Sequence, residues 1–216
     1  TVFASVFDFS SLKILEKLNC PAYKIASPEI TDIPLIKKVA KTKKPVIIST
    51  GLARFEDIKL AYQNIIKKNK NIIILKCTSS YPSNIDELNL NTIFDLKKKF
   101  LCPVGFSDHS LGKETSILAS GMGANMIEKH LIDDSKTKTV DSFFSLNYQD
   151  FKKMVNQIRL NEIAKGQINY TISKNSKKNL NGRRSLYVVK SIKKGEKFSK
   201  NNIKSIRPSF GLHPKR

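Results

Sequence analysis

Cysteine is scarce in this chain, and it occurs in an odd number. The three residues, Cys20, Cys77 and Cys102, are scattered, and each lies in or beside an apolar segment. Disulfide frameworks of secreted proteins use cysteines in pairs, so this pattern argues against such a framework. It favours reduced core thiols in a cytoplasmic protein.

Long apolar runs are also missing. The longest, such as residues 72–75, fall far short of the roughly 20 residues that a membrane helix needs, and no charged start leads into an apolar signal segment. We therefore expect no membrane partner and no secretion. The chain begins at Thr1 rather than Met and runs straight into an apolar stretch, so we expect an incomplete N-terminus.

Acidic residues are outnumbered, because 18 Asp and Glu stand against 39 Lys and Arg, which gives a formal net charge of +21. A surface of this sign attracts phosphate-bearing partners. Most of the charge is lysine on predicted helix faces and loops, and it lacks the interleaved aromatic residues of a single-strand binder. We therefore predict a solvated lysine-rich surface, no nucleic-acid partner and a general attraction for small anionic substrates.

The chain does contain a regular alternation of strand-like and helix-like segments. Segments rich in β-branched or apolar residues, too short for helices, predict strands at residues 2–5, 23–26, 46–49, 72–78, 104–107 and 126–130. Helical patterns lie between them, for example at residues 11–18, 34–40, 54–68 and 113–121. The alternation predicts an α/β fold with parallel strands and crossover helices.

The strand ends favour a closed barrel over an open doubly wound sheet. Every predicted strand ends in polar, chemically capable side chains, whereas an open sheet concentrates such groups at one switch point. A (β/α)8 TIM barrel builds its active site from the C-terminal ends of all its strands. We therefore expect residues 1–165 to form a (β/α)8 barrel domain that lacks its first two strands.

The composition changes after a predicted helix at residues 148–164. Residues 166–182 are rich in Asn, Ser and Lys and predict a linker. Beyond it we predict a strand at 184–190, a turn at 193–196 and a short capped helix at 199–203. Residues 183–216 then form the truncated start of a second small domain.

Two of the three histidines end successive predicted strands. In a barrel, His109 and His130 would be neighbours on one rim and could both present a nitrogen to one metal ion. Polar neighbours in both motifs could orient the imidazoles. The alternative is a pair of histidines satisfied by local hydrogen bonds.

Several further side chains could complete a site on this rim. A lysine point charge and serine hydroxyls would bind an anion, although a serine after a strand is commonly a helix cap; the residues concerned are Lys24, Ser27, Ser49 and Ser107. Glu29 and Asp141 could transfer protons or bind sugar hydroxyls. Tyr81 could cover a sugar face, and each of these three could instead be ordinary loop packing.

Taken together, these segments resemble the sialic acid synthase family over essentially the whole chain. The ordered motifs are Tyr-Lys-Ile-Ala-Ser (23–27), Ile-Ile-Ser-Thr-Gly (47–51), Leu-Lys-Cys-Thr-Ser-Ser-Tyr-Pro (75–82), Gly-Phe-Ser-Asp-His (105–109) and Ile-Glu-Lys-His (127–130). Residues 140–146, 183–189 and 206–215 most resemble the pseudaminic branch of that family.

The resemblance implies a (β/α)8 barrel joined to an antifreeze-like SAF domain, acting as a domain-swapped homodimer. Such enzymes condense phosphoenolpyruvate with the open-chain aldehyde of an acetamido sugar to give a nine-carbon 2-keto acid and phosphate. The resemblance places a divalent metal, Mn²⁺ or Mg²⁺, on His109 and His130.

The resemblance also implies roles for further residues. Phosphoenolpyruvate would be held by Ser5, Lys24, Ser27, Ser49, Ser79 and Ser107. Glu29, Tyr81 and Asp141 would surround the sugar and the reacting centre, and Arg207 would reach a partner's active site from the SAF domain. The chain departs from the family pattern at Val6 and Ser209, where Pro and Gly are usual, so the loop shape can differ there.

Three alternatives stay open at this point. The first is the same chemistry on another amino sugar, as in N-acetylneuraminate or legionaminate synthases. The second is another phosphate-handling barrel, including an aldolase whose Schiff base would form on Lys24, Lys76 or Lys129. The third is a non-enzymatic basic module that binds anions.

Overall fold

The computed structural model describes residues 2–133 and 138–216. They form two compact units, Thr1–Gly166 and Gln167–Arg216. Each unit is described by itself.

The first unit is built on six parallel strands joined by helices. The strands are β1 (Ala4–Ser5), β2 (Tyr23–Ile25), β3 (Val46–Ser49), β4 (Ile72–Cys77), β5 (Val104–Asp108) and β6 (Ile127–Lys129). The helices are α1 (Phe9–Lys17), α2 (Ile33–Lys41), α3 (Phe55–Ile66), α4 (Thr92–Lys99), α5 (Glu114–Gly121) and α6 (Tyr148–Lys165). A short parallel pair, β7 (Leu131–Ile132) with β8 (Leu146–Asn147), precedes α6.

The order of the strands in the sheet follows their order in the chain, from β1 to β6. A doubly wound sheet would reverse direction at a switch point, and these six strands show no such reversal. The predicted α/β fold with parallel strands is therefore confirmed. Sequential parallel pairing is the arrangement that a (β/α) barrel requires.

The sheet also curls. The Lys24 Nζ in β2 lies 2.9 Å from a carboxylate oxygen of Glu128 in β6. Four steps of about 4.8 Å would separate these strands by about 19 Å in a flat sheet, which exceeds the reach of the two side chains. The six strands therefore form a half-barrel in which the second strand, β2, and the last strand, β6, approach each other across the concave side.

Apolar side chains between the sheet and the helices form the core of this unit. All four residues of β3 and all five of β5 are buried. Helix α2 begins after Asp32, whose side chain accepts a hydrogen bond from the Leu35 N–H, and it buries one face through Leu35, Ile36, Val39 and Ala40. Burial on both faces explains why the strands are almost continuously apolar until their polar ends.

The second unit contains an antiparallel pair, β9 (Ser185–Val188) and β10 (Ile203–Ile206). A 3₁₀ helix, Ser176–Gly182, precedes β9 and occupies part of the segment for which the sequence predicts a linker. The Tyr187 hydroxyl donates to the Pro208 carbonyl at 2.8 Å, which ties the end of the unit to β9.

The prediction of a short helix at residues 199–203 is wrong. Ile203 already belongs to β10, and the preceding residues form a turn. The Asn202 side chain closes it, because its oxygen accepts from the Ser199 N–H at 2.7 Å and its amide donates to the Lys197 carbonyl at 3.1 Å. An asparagine that bonds nearby backbone competes with helix formation, which is the physical reason for the error. Within the described residues, no helix has the length and apolarity to cross a membrane.

Candidate active site

The carboxyl ends of the strands surround a cavity of about 490 Å³ in the first unit. Its wall includes side chains from β1 at one edge of the half-barrel and from the end of β6 at the other. Eight of the predicted site residues line it: Ser5, Lys24, Ser27, Ser49, Tyr81, Ser107, His109 and His130. The half-barrel therefore gathers on one concave surface side chains that are spread over more than 120 residues of sequence.

The pairing of β5 with β6 explains why the two histidines are neighbours. Ser107 lies opposite Glu128, and Asp108 lies opposite Lys129. Successive side chains of a strand point to opposite faces, so Ser107 and Glu128 point into the cavity while Asp108 and Lys129 point toward the helices. The rings of His109 and His130, one step further on, lie 5.3 Å apart between centroids.

Each imidazole is oriented through its Nδ1 atom. His109 Nδ1 lies 3.1 Å from the Thr78 carbonyl oxygen, which can only accept, so this nitrogen is the donor. His130 Nδ1 lies 3.5 Å from a carboxylate oxygen of Asp141. This arrangement leaves both Nε2 atoms without a hydrogen-bond partner in the described part of the chain, and it is typical of imidazoles that bind a metal.

The two histidines have pKa values shifted in opposite directions. Burial alone would lower the pKa of His109, but the contacts with the Cys77 thiol and the Thr78 carbonyl outweigh it and raise that pKa. The pKa of His130 is lowered, first by burial and then by the neighbouring charge of His109, against the attraction of Asp141. A positive charge on His109 therefore disfavours a second positive charge on His130.

Aromatic rings enclose this imidazole pair. The Tyr81 ring lies 4.4 Å from His109 and the Phe144 ring 4.9 Å from His130, between centroids, and the two aromatic rings are 5.6 Å apart. Phe144 is buried, whereas Tyr81 is half exposed. Nothing in the sequence marks Phe144 as a site residue, because a phenylalanine outside any predicted strand or helix carries no chemical signal of its own.

The Cys77 thiol takes part in the site although the sequence predicts a core thiol. It is buried, but it lines the cavity, with its sulfur 3.8 Å from His109 Nδ1 and 3.6 Å from the Ser79 hydroxyl. Burial raises the pKa of Cys77, but hydrogen bonds with His109, Ser27 and Ser79 outweigh this effect and bring it to about 7. Ser79, a predicted site residue that does not line the cavity, is thus linked to it through this sulfur.

The predicted anion-binding side chains contact a carboxylate of the same chain. One oxygen of Glu128 accepts from the Ser107 hydroxyl at 2.6 Å and lies 2.9 Å from the Lys24 Nζ. The Ser27 hydroxyl accepts from the Gly51 N–H at 3.0 Å. The Ser49 hydroxyl is buried and has no hydrogen-bond partner among the described residues, so it is a donor available to a ligand.

A buried ion pair supports the outer side of the histidine strands. Lys129 Nζ lies 3.2 Å from an Asp108 carboxylate oxygen, and both side chains are fully buried. Asp108 also accepts from the hydroxyls of Ser110, Thr115 and Ser116 at 2.6 to 2.7 Å. This network fixes Asp108 and Lys129, the residues that immediately precede the two histidines. It therefore helps to fix the positions of His109 and His130.

The remaining predicted residues lie at different places. Glu29 lies in a 3₁₀ helix, Ser27–Thr31, and one of its carboxylate oxygens is buried without a hydrogen-bond partner among the described residues. Asp141 is beside His130. Arg207 directly follows β10 in the second unit.

A metal ion would find two protein ligands here. The described residues hold no group of three or more His, Cys, Asp or Glu side chains placed to bind a metal. The two Nε2 atoms fit an ion that takes its other ligands from water and substrate, as Mn²⁺ and Mg²⁺ commonly do.

Comparison with known proteins agrees with this architecture. Residues 1–170 match the NeuB family. The pseudaminic acid synthase of Helicobacter pylori is 44% identical over 216 residues, which cover 99% of this chain and 64% of that protein. The pseudaminic acid synthase of Campylobacter jejuni is 45% identical over 214 residues, which cover 99% of this chain and 62% of that protein.

The crystal structure of an N-acetylneuraminic acid synthetase from Leptospira borgpetersenii superposes with a TM-score of 0.78 at 33% identity, over 82% of this chain and 62% of that one. This chain spans a little under two thirds of the length of the two curated relatives. The family match covers the whole half-barrel and every cavity residue described above. This chain belongs to the NeuB family.

Proposed function

We propose that this chain condenses phosphoenolpyruvate with the open-chain aldehyde of a 2,4-diacetamido-2,4,6-trideoxy hexose to give pseudaminic acid and phosphate. Two relatives at 44% and 45% identity carry the name pseudaminic acid synthase. The observation that carries the proposal is the convergence, on one cavity, of anion donors and two adjacent imidazoles. Phosphate recognition and aldehyde activation need these two sets of groups side by side.

The proposed reaction forms one carbon–carbon bond and breaks one carbon–oxygen bond. C3 of phosphoenolpyruvate bonds to the aldehyde carbon, and the oxygen of a water molecule adds to C2. The bond between C2 and the bridging oxygen then breaks, so that phosphate leaves and C2 becomes a ketone. One proton of the water goes to the former aldehyde oxygen and the other leaves with phosphate.

The anion side of the cavity would bind phosphoenolpyruvate. Lys24 supplies the positive charge, and the Ser49 hydroxyl supplies a buried donor that has no other partner among the described residues. Ser27 and Ser107 lie on the same wall, and Ser5 lies at the end of β1. Charge-assisted hydrogen bonds of this kind both bind and orient a phosphate.

The imidazole side would bind the aldehyde. His109 and His130 would hold a divalent cation, Mn²⁺ or Mg²⁺, through their Nε2 atoms, because their Nδ1 atoms face Thr78 and Asp141. When bound, such an ion supplies Lewis acidity at the aldehyde oxygen. Tyr81 covers this side with its ring, and its exposed position suits contact with the sugar.

The carboxylates would move protons or bind sugar hydroxyls. Glu29 has a buried oxygen without a partner among the described residues, and a buried acceptor of this kind suits the removal of a proton from the attacking water. Asp141 orients His130 and is half exposed, which also suits a hydrogen bond to the substrate.

We also propose the larger architecture that the resemblance implies. The half-barrel would be part of an eight-stranded barrel, and the second unit, with its β9–β10 pair, would belong to an antifreeze-like SAF domain. Arg207, after β10, would then act in the active site of a partner in a domain-swapped homodimer in the cytoplasm.

The geometry favours this chemistry over a Schiff-base aldolase. Lys129 is held in a fully buried ion pair with Asp108. Lys76 donates to the Cys77 carbonyl and the Thr78 hydroxyl, and it lies on the face of β4 opposite to the cavity residue Cys77. Burial lowers the pKa of Lys76, but its amine does not line the cavity. Lys24 faces the cavity but is paired with Glu128.

The test is a phosphate-release assay with phosphoenolpyruvate and Mn²⁺. The chain is assayed alone and extended at both ends to the length of its curated relatives. The pseudaminic precursor, a 2,4-diacetamido-2,4,6-trideoxy altrose, and N-acetylmannosamine are offered in parallel. We expect release with the altrose and its loss in His109→Ala and in His130→Ala.

The outcomes separate the alternatives. Preference for N-acetylmannosamine would assign the protein to N-acetylneuraminate synthesis, and preference for the diacetamido sugar of legionaminate synthesis, added as a third substrate, would assign it to that reaction. A pyruvate adduct trapped by borohydride on Lys24 would replace the metal route with an aldolase. No release from the folded, metal-loaded extended protein would contradict the proposal.

A further inference from the structure

Glu128 occupies the place where the proposed function puts phosphate. One of its carboxylate oxygens lies 2.9 Å from the Lys24 Nζ and accepts from the Ser107 hydroxyl at 2.6 Å. Both partners are residues that the proposed function assigns to phosphoenolpyruvate. The three residues belong to β2, β5 and β6, so this contact also crosses the concave side of the half-barrel.

A carboxylate oxygen and a phosphate oxygen compete for the same donors, because both accept charge-assisted hydrogen bonds from lysine and serine. The Lys24 side chain is 15% exposed and the Glu128 side chain 27% exposed. Partial burial reduces the screening of this ion pair by water and salt, which strengthens the attraction. The remaining exposure allows a ligand to reach Lys24 and replace the Glu128 carboxylate. A phosphate that takes the donors of Lys24 and Ser107 must therefore compete with the Glu128 carboxylate for them.

A donor beside this pair lacks an acceptor. Ser49 is 1% exposed, and its hydroxyl has no hydrogen-bond partner among the described residues. It lines the same cavity as Lys24, Ser107 and Glu128. A buried donor without an acceptor costs free energy, so the site with Glu128 in place satisfies Lys24 and Ser107 and leaves Ser49 for an incoming anion.

We infer that Glu128 is an internal competitor for the phosphate subsite, and the inference rests on the proposed function. The carboxylate neutralises Lys24 in the free protein, gives it up when phosphoenolpyruvate binds, and returns when phosphate leaves. It therefore weakens the retention of inorganic phosphate, the product, and favours ligands whose further contacts offset the displacement. Glu128 is in this sense a specificity-determining residue that the sequence motifs alone do not reveal.

The test compares the wild-type chain with Glu128→Gln by calorimetric titration with inorganic phosphate and, separately, with phosphoenolpyruvate. Glutamine keeps the size and the hydrogen-bonding capacity of the side chain but cannot form an ion pair with Lys24. We expect Glu128→Gln to bind inorganic phosphate about tenfold more tightly than the wild type. Equal or weaker binding of phosphate by the variant would overturn the inference.

Two further variants show whether the gain acts through Lys24. Lys24→Met removes the cation for which Glu128 and phosphate compete. In that background we expect Glu128→Gln to change the affinity for phosphate less than about twofold. Asp141→Asn removes a negative charge beside His130 without touching Lys24, and we expect a gain of less than about threefold. An equal gain from Asp141→Asn would assign the effect to general charge and overturn the inference.

The same titrations separate this inference from the proposed function. Binding of phosphoenolpyruvate by the wild type, with no tighter phosphate binding in Glu128→Gln, would overturn the inference and leave the proposed function standing. Failure of both wild type and Glu128→Gln to bind either anion, with both folded by circular dichroism, would overturn the anion site and both proposals with it.

Discussion

At the scale of single residues, the site depends on a close approach at Gly51. A β-carbon built there would lie 2.1 Å from the Ser79 hydroxyl oxygen, 2.8 Å from the Cys77 sulfur and 2.9 Å from the Ser79 backbone nitrogen. The backbone contact cannot be relieved by rotating a side chain. Any side chain at residue 51 therefore pushes β4 away from the end of β3.

We predict that Gly51→Ala destabilises the chain by about 1–3 kcal/mol, the usual cost of overpacking, and weakens binding of phosphoenolpyruvate. Urea denaturation and calorimetric titration measure the two effects. The matched control is Gly121→Ala, because nothing lies within 4 Å of a β-carbon built at that helical position; a helical alanine stabilises by up to about 1 kcal/mol relative to glycine. Wild-type stability in Gly51→Ala would show that the two strands can separate freely.

Eight of the residues predicted from the sequence line one cavity, because lysine, histidine and serine at strand ends carry a chemical signal. Glu128 lies in the quoted Ile-Glu-Lys-His motif, but nothing in the sequence indicates its partner, since Lys24 lies 104 positions away and meets it only after the sheet curls. Cys77 and Phe144 show no functional signal because buried cysteine and phenylalanine are ordinary core residues. Contacts between distant strands are thus the part that sequence alone could not supply.

At the scale of secondary-structure elements, the ion pair of Asp108 with Lys129 joins β5, β6 and the start of α5. Both side chains are fully buried, and the carboxylate also accepts from three hydroxyls. Removing one member leaves the other charge buried and unpaired.

We predict that Lys129→Met lowers the free energy of unfolding by about 3–5 kcal/mol, and that Asp108→Asn in the same chain restores part of it. The comparison is Lys99→Met, which removes the exposed partner of Asp95 and should cost less than about 1 kcal/mol. Urea denaturation of the four proteins measures these differences. Equal losses in Lys129→Met and Lys99→Met would contradict the role given to the buried pair.

Helix α1 begins with a capping box whose strength depends on pH. An Asp8 carboxylate oxygen accepts from the Ser11 N–H at 2.6 Å and from the Ser10 hydroxyl at 2.7 Å. These bonds, the one from Ser11 first, lower the pKa of Asp8. Because the pKa is lowered in the folded state, the ionised Asp8 carboxylate stabilises the fold at pH values above its unfolded-state pKa of about 3.9. This contribution disappears as the pH falls through the folded-state pKa.

We therefore predict that wild type is more stable than Asp8→Asn at about pH 5 and that the difference shrinks as the pH approaches about 2. Asparagine keeps a capping oxygen but does not ionise, so it isolates the effect of the charge. Thermal unfolding of both proteins across this range measures the difference. A gap that stays constant or widens toward low pH would show that the carboxylate charge does not stabilise the helix.

Most of the strands and helices that build the first unit follow from the sequence, and two errors are instructive. The six strands of the sheet could be predicted because short β-branched runs recur at regular spacing. Helix α4 is not among the sequence predictions, since it buries only Ile93 and Leu96 and ends in three lysines, which leaves a weak apolar stripe. The helix predicted at 199–203 fails because the side chain of Asn202 closes a turn instead.

At the scale of the whole molecule, the net charge of +21 suits both an enzyme with a basic surface and a nucleic-acid-binding module, and the salt dependence of binding distinguishes the two. Binding that depends on several phosphate contacts weakens by about 10³-fold or more between 50 and 200 mM salt. A single small anion in a partly enclosed site is screened far less.

We predict that affinity for phosphoenolpyruvate falls less than about tenfold over that range, and that generic duplex DNA binds weakly at low salt and not measurably at high salt. Calorimetry for the small anion and fluorescence anisotropy for the DNA measure how each binding affinity changes with salt concentration. Tight DNA binding that persists at high salt would favour the binding-module alternative.

The sequence also indicates a barrel, and the sequential order of β1 to β6 supports that interpretation at the level of one curled sheet. The sequence evidence for a barrel is indirect. Polar residues at every strand end are found in barrel enzymes because the active site lies there, but they do not cause the sheet to close. The degree of curling is set by packing between strands and helices, which no local pattern encodes. The contact between Lys24 in β2 and Glu128 in β6 is the direct evidence that the sheet curls.

In the proposed reaction, this site condenses phosphoenolpyruvate with cleavage of its carbon–oxygen bond. The most direct test is to supply phosphoenolpyruvate with ¹⁸O at the bridging oxygen, together with Mn²⁺ and the diacetamido altrose, to the chain extended to the length of its relatives, and to analyse the phosphate by mass spectrometry. We predict phosphate that carries the label and a keto acid that does not. Unlabelled phosphate, with the label in the organic product, would mean phosphorus–oxygen cleavage and would contradict the proposed reaction.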